Sequence, residues 1–124
     1  MKGLGGWIQS ADWKSEKHVP VITAPEKVPA GEVVEVEVQV GKEIPHPNTV
    51  EHHIRWIQLY FKAHKGKFAF DLGRINFNSH DEGPVATESF GVFKFKAKES
   101  GTLTAVSYCN IHGLWESSRE LQVE

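Results

Sequence analysis

Cysteine and methionine are nearly missing from this chain: each occurs once in 124 residues. A single cysteine excludes an intrachain disulfide framework, and a free thiol suits a reducing compartment, so the expected location is cytoplasmic. Long apolar runs are also missing, and no stretch approaches membrane-spanning length. Met1 to Lys14 holds Leu4, Trp7 and Ile8 among glycines and polar residues, without the continuous apolar region of a signal peptide. Neither sign of charge dominates: 14 Lys and Arg against 16 Asp and Glu give a formal net charge of -2. Without a basic stripe to displace phosphate counterions, nucleic acid is not an expected partner, and nothing points to a membrane. No segment has a convincing helical period.

What the chain does have is strand pattern. Across Gly31 to Val40, Val34, Val36, Val38 and Val40 fall on one face and Glu35, Glu37 and Gln39 on the other. His53 to Phe61, Phe68 to Phe77, Phe90 to Ala97 and Thr102 to Asn110 are further β-branched or aromatic runs bounded by Gly, Pro, Asn or charged clusters. Val19 to Ile22 and Glu120 to Val123 read as short terminal strands. Ala24 to Gly31 is a turn-rich connection, Asn78 to Thr87 a polar loop, and a turn is possible near Ser10 to Lys14. Seven short strands without helices predict an all-β antiparallel sandwich, and the length predicts one domain over residues 1–124.

The chemistry concentrates at strand ends. Tyr108-Cys109-Asn110-Ile111-His112 places the only cysteine three residues before a histidine, and a thiolate and an imidazole on one turn can grip a transition metal together. Cys109 closes the alternation Leu103, Ala105, Ser107, Cys109, and the N–H groups of Ile111 and His112 are placed to approach its sulfur. In Pro45-His46-Pro47, each proline fixes its own φ and biases the residue before it, so His46 sits on a stiff loop. His52 and His53 follow at a strand start and should point opposite ways; spacing alone does not choose between them. His18 precedes Val19 and Pro20.

Taken singly, each residue has an ordinary reading. Free cysteines are usually buried core residues, and isolated histidines usually hydrogen-bonded or at the surface. His64 and His80 lack turn or proline framing and read as surface residues. Trp13, Trp56 and Trp115 read as core or core-edge residues, with Trp115 also placed to shield a metal. Lys94, Lys96 and Lys98 read as a solvated strand face.

Together, Glu16-Lys17-His18-Val19-Pro20, Ile44-Pro45-His46-Pro47-Asn48-Thr49-Val50-Glu51-His52-His53-Ile54 and Ser107-Tyr108-Cys109-Asn110-Ile111-His112-Gly113-Leu114-Trp115-Glu116 resemble the superoxide reductase family, and within it the one-iron neelaredoxins related to desulfoferrodoxins. The resemblance runs from about Asp12 to the C-terminus. It implies an immunoglobulin-like seven-stranded sandwich holding a mononuclear iron, with His18, His46, His52 and His112 as equatorial ligands and Cys109 as the axial one. It selects His52 over His53. It further implies that Glu16 takes the sixth position of ferric iron and that Lys17 lies beside the open ferrous site. No cysteine precedes Cys109, so the second iron centre of the two-iron relatives has no ligands here.

The implied activity is one-electron reduction of superoxide to hydrogen peroxide, with rubredoxin or a similar small carrier as electron donor and a homo-oligomer, in the family a homotetramer, as the assembly. Two other readings compete. A Tyr-Cys-x-x-His turn on a β-sandwich also resembles cupredoxins, copper electron-transfer proteins with two histidines, a cysteine and an axial Met; here Met1 is the only methionine and lies far upstream. A metal-free immunoglobulin-like binding domain would leave the ligand clustering unexplained.

Overall fold

In the computed structural model, residues 3–124 are described. The alternation that marks the valine strand sets its burial: in β3 (Val33–Val40), Val34, Val36, Val38 and Val40 are 0–3% exposed while Val33 and Glu35 face solvent. Around it, β1 (Pro20–Thr23) and β6 (Phe90–Lys96) pair antiparallel to form a three-stranded sheet. The second sheet has five strands, ordered β2 (Lys27–Val28), β8 (Gly113–Val123), β7 (Gly101–Cys109), β4 (Ile54–Ala63) and β5 (Phe70–Asn76). Valines of β3, with Ile22 and Phe93, meet Ile57, Leu59, Leu103, Ala105, Cys109 and Leu121 from the other sheet in one buried cluster, the core of the expected sandwich.

All seven expected strands are present, and an eighth, β2, adds a two-residue parallel pair with β8 inside the stretch read as a turn-rich connection. The last strand begins at Gly113 rather than Glu120. Between the buried Trp115 and Leu121, Glu116 to Glu120 are polar and irregular in pattern, and there the strand is fixed by backbone pairing to β7, which runs from Cys109↔Gly113 to Gly101↔Leu121. A short 3-10 turn, Leu4–Gly6, and a bridge from Gln9 to Trp115 run the N-terminal segment along β8.

This topology gathers the motifs. The start of β1 lies beside the end of β3 through Pro20↔Val40, and the start of β4 lies beside the end of β7 through Ile54↔Cys109. The segment before β1, the 41–53 loop and the β7–β8 turn therefore share one end of the sandwich. The β4–β7 register shifts between Ile54 and Trp56, a bulge directly after the His52-His53 pair. Among the described residues, no helix is long and apolar enough to cross a membrane.

Candidate metal centre

The predicted ligands are delivered by three separate segments. His18, 6% exposed, has its carbonyl fixed by the buried Ser107 hydroxyl, which donates at 3.0 Å. His46 and His52 come from the 41–53 loop. Cys109 is the last residue of β7 and fully buried, and His112 sits in the turn that leads into β8. One side of the centre is closed by Trp115, which stacks on the His18 ring at 5.0 Å and 14° and donates its indole N–H to the His112 carbonyl at 3.2 Å.

The four rings form a closed circuit. Successive centroids lie 4.9 Å apart from His18 to His46, 4.6 Å to His52, 5.0 Å to His112 and 4.6 Å back to His18, whereas the His18–His52 diagonal is 6.1 Å. Ligand atoms of His18, His46, His52 and Cys109 all lie within 4.8 Å of one another. His112 joins through Nδ1, 3.0 Å from His18 Nε2 and 3.8 Å from the Cys109 sulfur, and its backbone N–H donates to that sulfur at 3.3 Å. The sulfur contact anticipated for His112 is therefore present.

Proton placement completes a donor set. Glu16 Oε1 lies 2.6 Å from His18 Nδ1, and the Pro47 carbonyl lies 2.7 Å from His46 Nδ1. Both partners are acceptors, so each Nδ1 carries the proton and each Nε2 turns a lone pair inward. Among the described residues, the buried side-chain polar atoms without a partner are His46 Nε2 and His52 Nε2, and both face this cluster. Buried polar atoms are normally satisfied, so the two orphaned nitrogens require an occupant. Imidazoles with a thiolate suit iron, copper or zinc among the transition metals.

Burial pushes the His46 pKa down to about 4 from 6.5; its bond to the Pro47 carbonyl opposes this, and the charges of His18, His52 and Lys17 add to it. His52 is lowered for the same first reason, burial, reinforced by His112, His18 and Lys17. Both rings are thus held neutral, the state a metal requires. Between pH 6.5 and about 4, the unfolded chain binds a proton at His46 that the folded metal-free chain does not. Stability should therefore fall as the pH falls through that window. Urea midpoints of the metal-free protein across it check this, and a flat profile would refute it.

A family model described as Desulfoferrodoxin matches residues 10–118. The chain is 58% identical to the superoxide reductase of Pyrococcus abyssi over 115 residues, covering 93% of this chain and 96% of that one. The chain belongs to the desulfoferrodoxin family. A solved structure from Thermotoga maritima matches with a TM-score of 0.96 at 50% identity, covering 100% of this chain and 99% of that one. The Archaeoglobus fulgidus structure described as superoxide reductase (neelaredoxin) in the reduced form matches with a TM-score of 0.86 at 52% identity, covering 93% and 98%. Membership of this family, in its neelaredoxin type, agrees with four inward-facing rings. A cupredoxin-like copper site would use two, and Met1 lies outside the described residues.

Within this desulfoferrodoxin site, the remaining predicted residues fall in the second layer. Glu16 points at the outer side of His18, accepting from its backbone N–H at 3.0 Å as well as from its ring. Burial raises the Glu16 pKa, but those hydrogen bonds and the His18 and Lys17 charges outweigh it and hold the carboxyl below its usual value. Lys17 is half-buried, and its charge acts on Glu16, His46 and His52 together. His53 is buried but turned away, its Nδ1 2.8 Å from the Thr49 carbonyl. His80, read as a surface residue, is instead 6% exposed because its ring stacks on His53.

Two supports escaped sequence reasoning. Asn110 ties the cysteine turn to the histidine loop: its side chain accepts from the His53 N–H at 2.9 Å and donates to the Glu51 carbonyl at 3.0 Å. Gly41 has φ +85°, and a Cβ there would lie 2.7 Å from the His46 backbone nitrogen. Gly41→Ala should cost about 1–3 kcal/mol and displace His46. Thermal melts together with metal retention check this; wild-type values in both would show that the loop absorbs the methyl group.

Proposed function

We propose that this chain is a superoxide reductase, with residues 1–124 acting as one iron-binding domain and His18, His46, His52, His112 and Cys109 as ligands. The observation that carries the reading is the pair of orphaned buried nitrogens on His46 and His52, set in a closed circuit of four imidazoles beside a buried thiol. These residues would hold a ferrous ion, and that ion would supply the single electron which, with two protons, converts superoxide to hydrogen peroxide.

The chain's own groups prepare that step. The His112 N–H at the Cys109 sulfur tempers thiolate donation, and Glu16 orients His18 through its outer nitrogen. Trp115 covers one side against water. The Lys17 ammonium offers the anion a local positive field that a net charge of -2 does not provide. Glu16 would also serve ferric iron as a carboxylate donor, for which it would have to leave both hydrogen bonds to His18. The electron is replaced from outside, because among the described residues there is one metal-type cluster; rubredoxin or a similar small carrier is the proposed donor. A homo-oligomer, a homotetramer as implied by the family resemblance, and a cytoplasmic location complete the proposal.

Metal analysis combined with product analysis tests the reading. One iron per chain, peroxide formed in step with reductant consumed and no dioxygen released are expected. Stoichiometric copper, or dioxygen released at half the superoxide consumed, would replace it with electron transfer or dismutation.

A further inference from the structure

Loop 78–87 carries no donor of the metal cluster, yet it is built around a buried histidine. His80 is 6% exposed, and its ring lies parallel to His53 with centroids 3.6 Å apart and planes at 6°. Both ring nitrogens are engaged: Nε2 is 2.7 Å from the Phe77 carbonyl and Nδ1 is 2.9 Å from Asn48 Oδ1. The orientation of Asn48 is set from its other end, where Nδ2 donates to the Thr87 carbonyl at 2.9 Å. His80 therefore faces two acceptors, one at each ring nitrogen. The pocket is closed by Glu82, whose carboxylate oxygens accept from the His80 backbone N–H at 2.8 and 3.0 Å, and by the Thr87 N–H to the Ser79 carbonyl at 2.7 Å.

Asn48 links this pocket to the loop that carries two of the proposed ligands. It stands between His46 and His52 on the 41–53 loop, and its side chain reaches loop 78–87 from both ends. On the same loop, His53 accepts the His80 ring on its face and holds the Thr49 carbonyl with Nδ1 at 2.8 Å. The two ligand histidines are thus braced from outside the cluster by residues that contribute nothing to it.

We propose that His80 is a positioning residue for the metal centre: by pinning Asn48 and stacking on His53, it fixes the loop that presents His46 and His52. The inference rests on the ligand set proposed above. Groups that orient metal ligands from the second layer typically change metal affinity by about 10-fold to 100-fold, and His80 acts one contact further out, so the lower end is expected. The hydrogen-bond arm works through Asn48 alone, so the losses from His80 and Asn48 should not multiply.

The test is iron loss from the ferrous full-length chain to an excess chelator, with the visible spectrum of the oxidised form as a second readout. His80→Phe keeps a ring on His53 and removes the ring nitrogens; Asn48→Ala removes the side chain they hold; the double variant completes the cycle. Expected are about 10-fold faster iron loss in each single variant, a shifted sulfur-derived band, and a double variant no worse than the weaker single one. His80→Gln, which restores one donor, should recover part of the loss. Iron retention within about twofold of wild type in both single variants, or losses that multiply, would overturn the proposal, as would lowered melting temperatures with unchanged iron retention. Should His80→Phe fail to fold, Asn48→Ala decides by the same retention criterion. A wild-type chain that holds no iron would instead overturn the ligand set.

Discussion

Cys109→Ser is expected to abolish the sulfur-derived absorption of the oxidised protein and to weaken iron retention by more than about 100-fold, since merely disturbing the groups around a ligand costs 10-fold to 100-fold. A serine hydroxyl is a shorter, harder donor that stays protonated at neutral pH, so it supplies neither the charge nor the polarisable electrons of a thiolate. The position is fully buried, and its sulfur already accepts the His112 N–H at 3.3 Å. A hydroxyl keeps an acceptor for that N–H, so the fold should survive: the metal-free variant should lie within about 1–3 kcal/mol of the metal-free parent. Iron analysis, the optical spectrum and a metal-free melt separate loss of the site from loss of the fold. Unchanged iron content with the band intact would remove Cys109 from the ligand set.

Lys17→Ala should slow the second-order reaction with superoxide by about 3-fold to 50-fold. The range is set by dielectric: at about 7 Å, one charge is worth roughly 0.6 kcal/mol in water and about 2.4 kcal/mol at an effective dielectric near 20. The half-buried position of Lys17 places it between these limits. With a Debye length of about 8 Å at physiological salt, the wild-type rate should fall as ionic strength rises and the variant's should fall less. Pulse radiolysis over a salt series reads both quantities. Equal rates, or equal salt slopes, would make Lys17 a solvated side chain without kinetic effect.

The sequence made the donors legible because each is announced within a few residues: the prolines around His46, the alternation that ends at Cys109, and the turn that returns His112. The valine alternation of β3 was legible for the same reason, since a period of two belongs to one strand. What escaped depends on partners far away in the chain. His80 is buried by a residue on another loop, and its bond to Asn48 spans 32 positions. Asn110 meets His53 across 57 positions. The middle of β8, Glu116 to Glu120, is polar and is held as strand by its pairing with β7. His52 and His53 could not be told apart by spacing, because their difference lies in the pocket that takes one of them, formed by Thr49, Arg55 and His80.

The sulfur and the His52 loop share one end of the sandwich because β4 and β7 are neighbours, pairing Ile54 with Cys109. No short fragment of the chain contains the centre: His18 and His112, whose ring nitrogens meet at 3.0 Å, are separated by 94 positions. During synthesis the donors therefore remain apart until the β7–β8 hairpin has emerged and closed against β4. Iron captured by the finished site binds the native state alone and shifts the folding equilibrium by mass action. Loading thus becomes a readout of completion: a nascent or truncated chain lacking its last strands keeps three of the histidines but has neither the thiolate nor the strand pairing that brings them together.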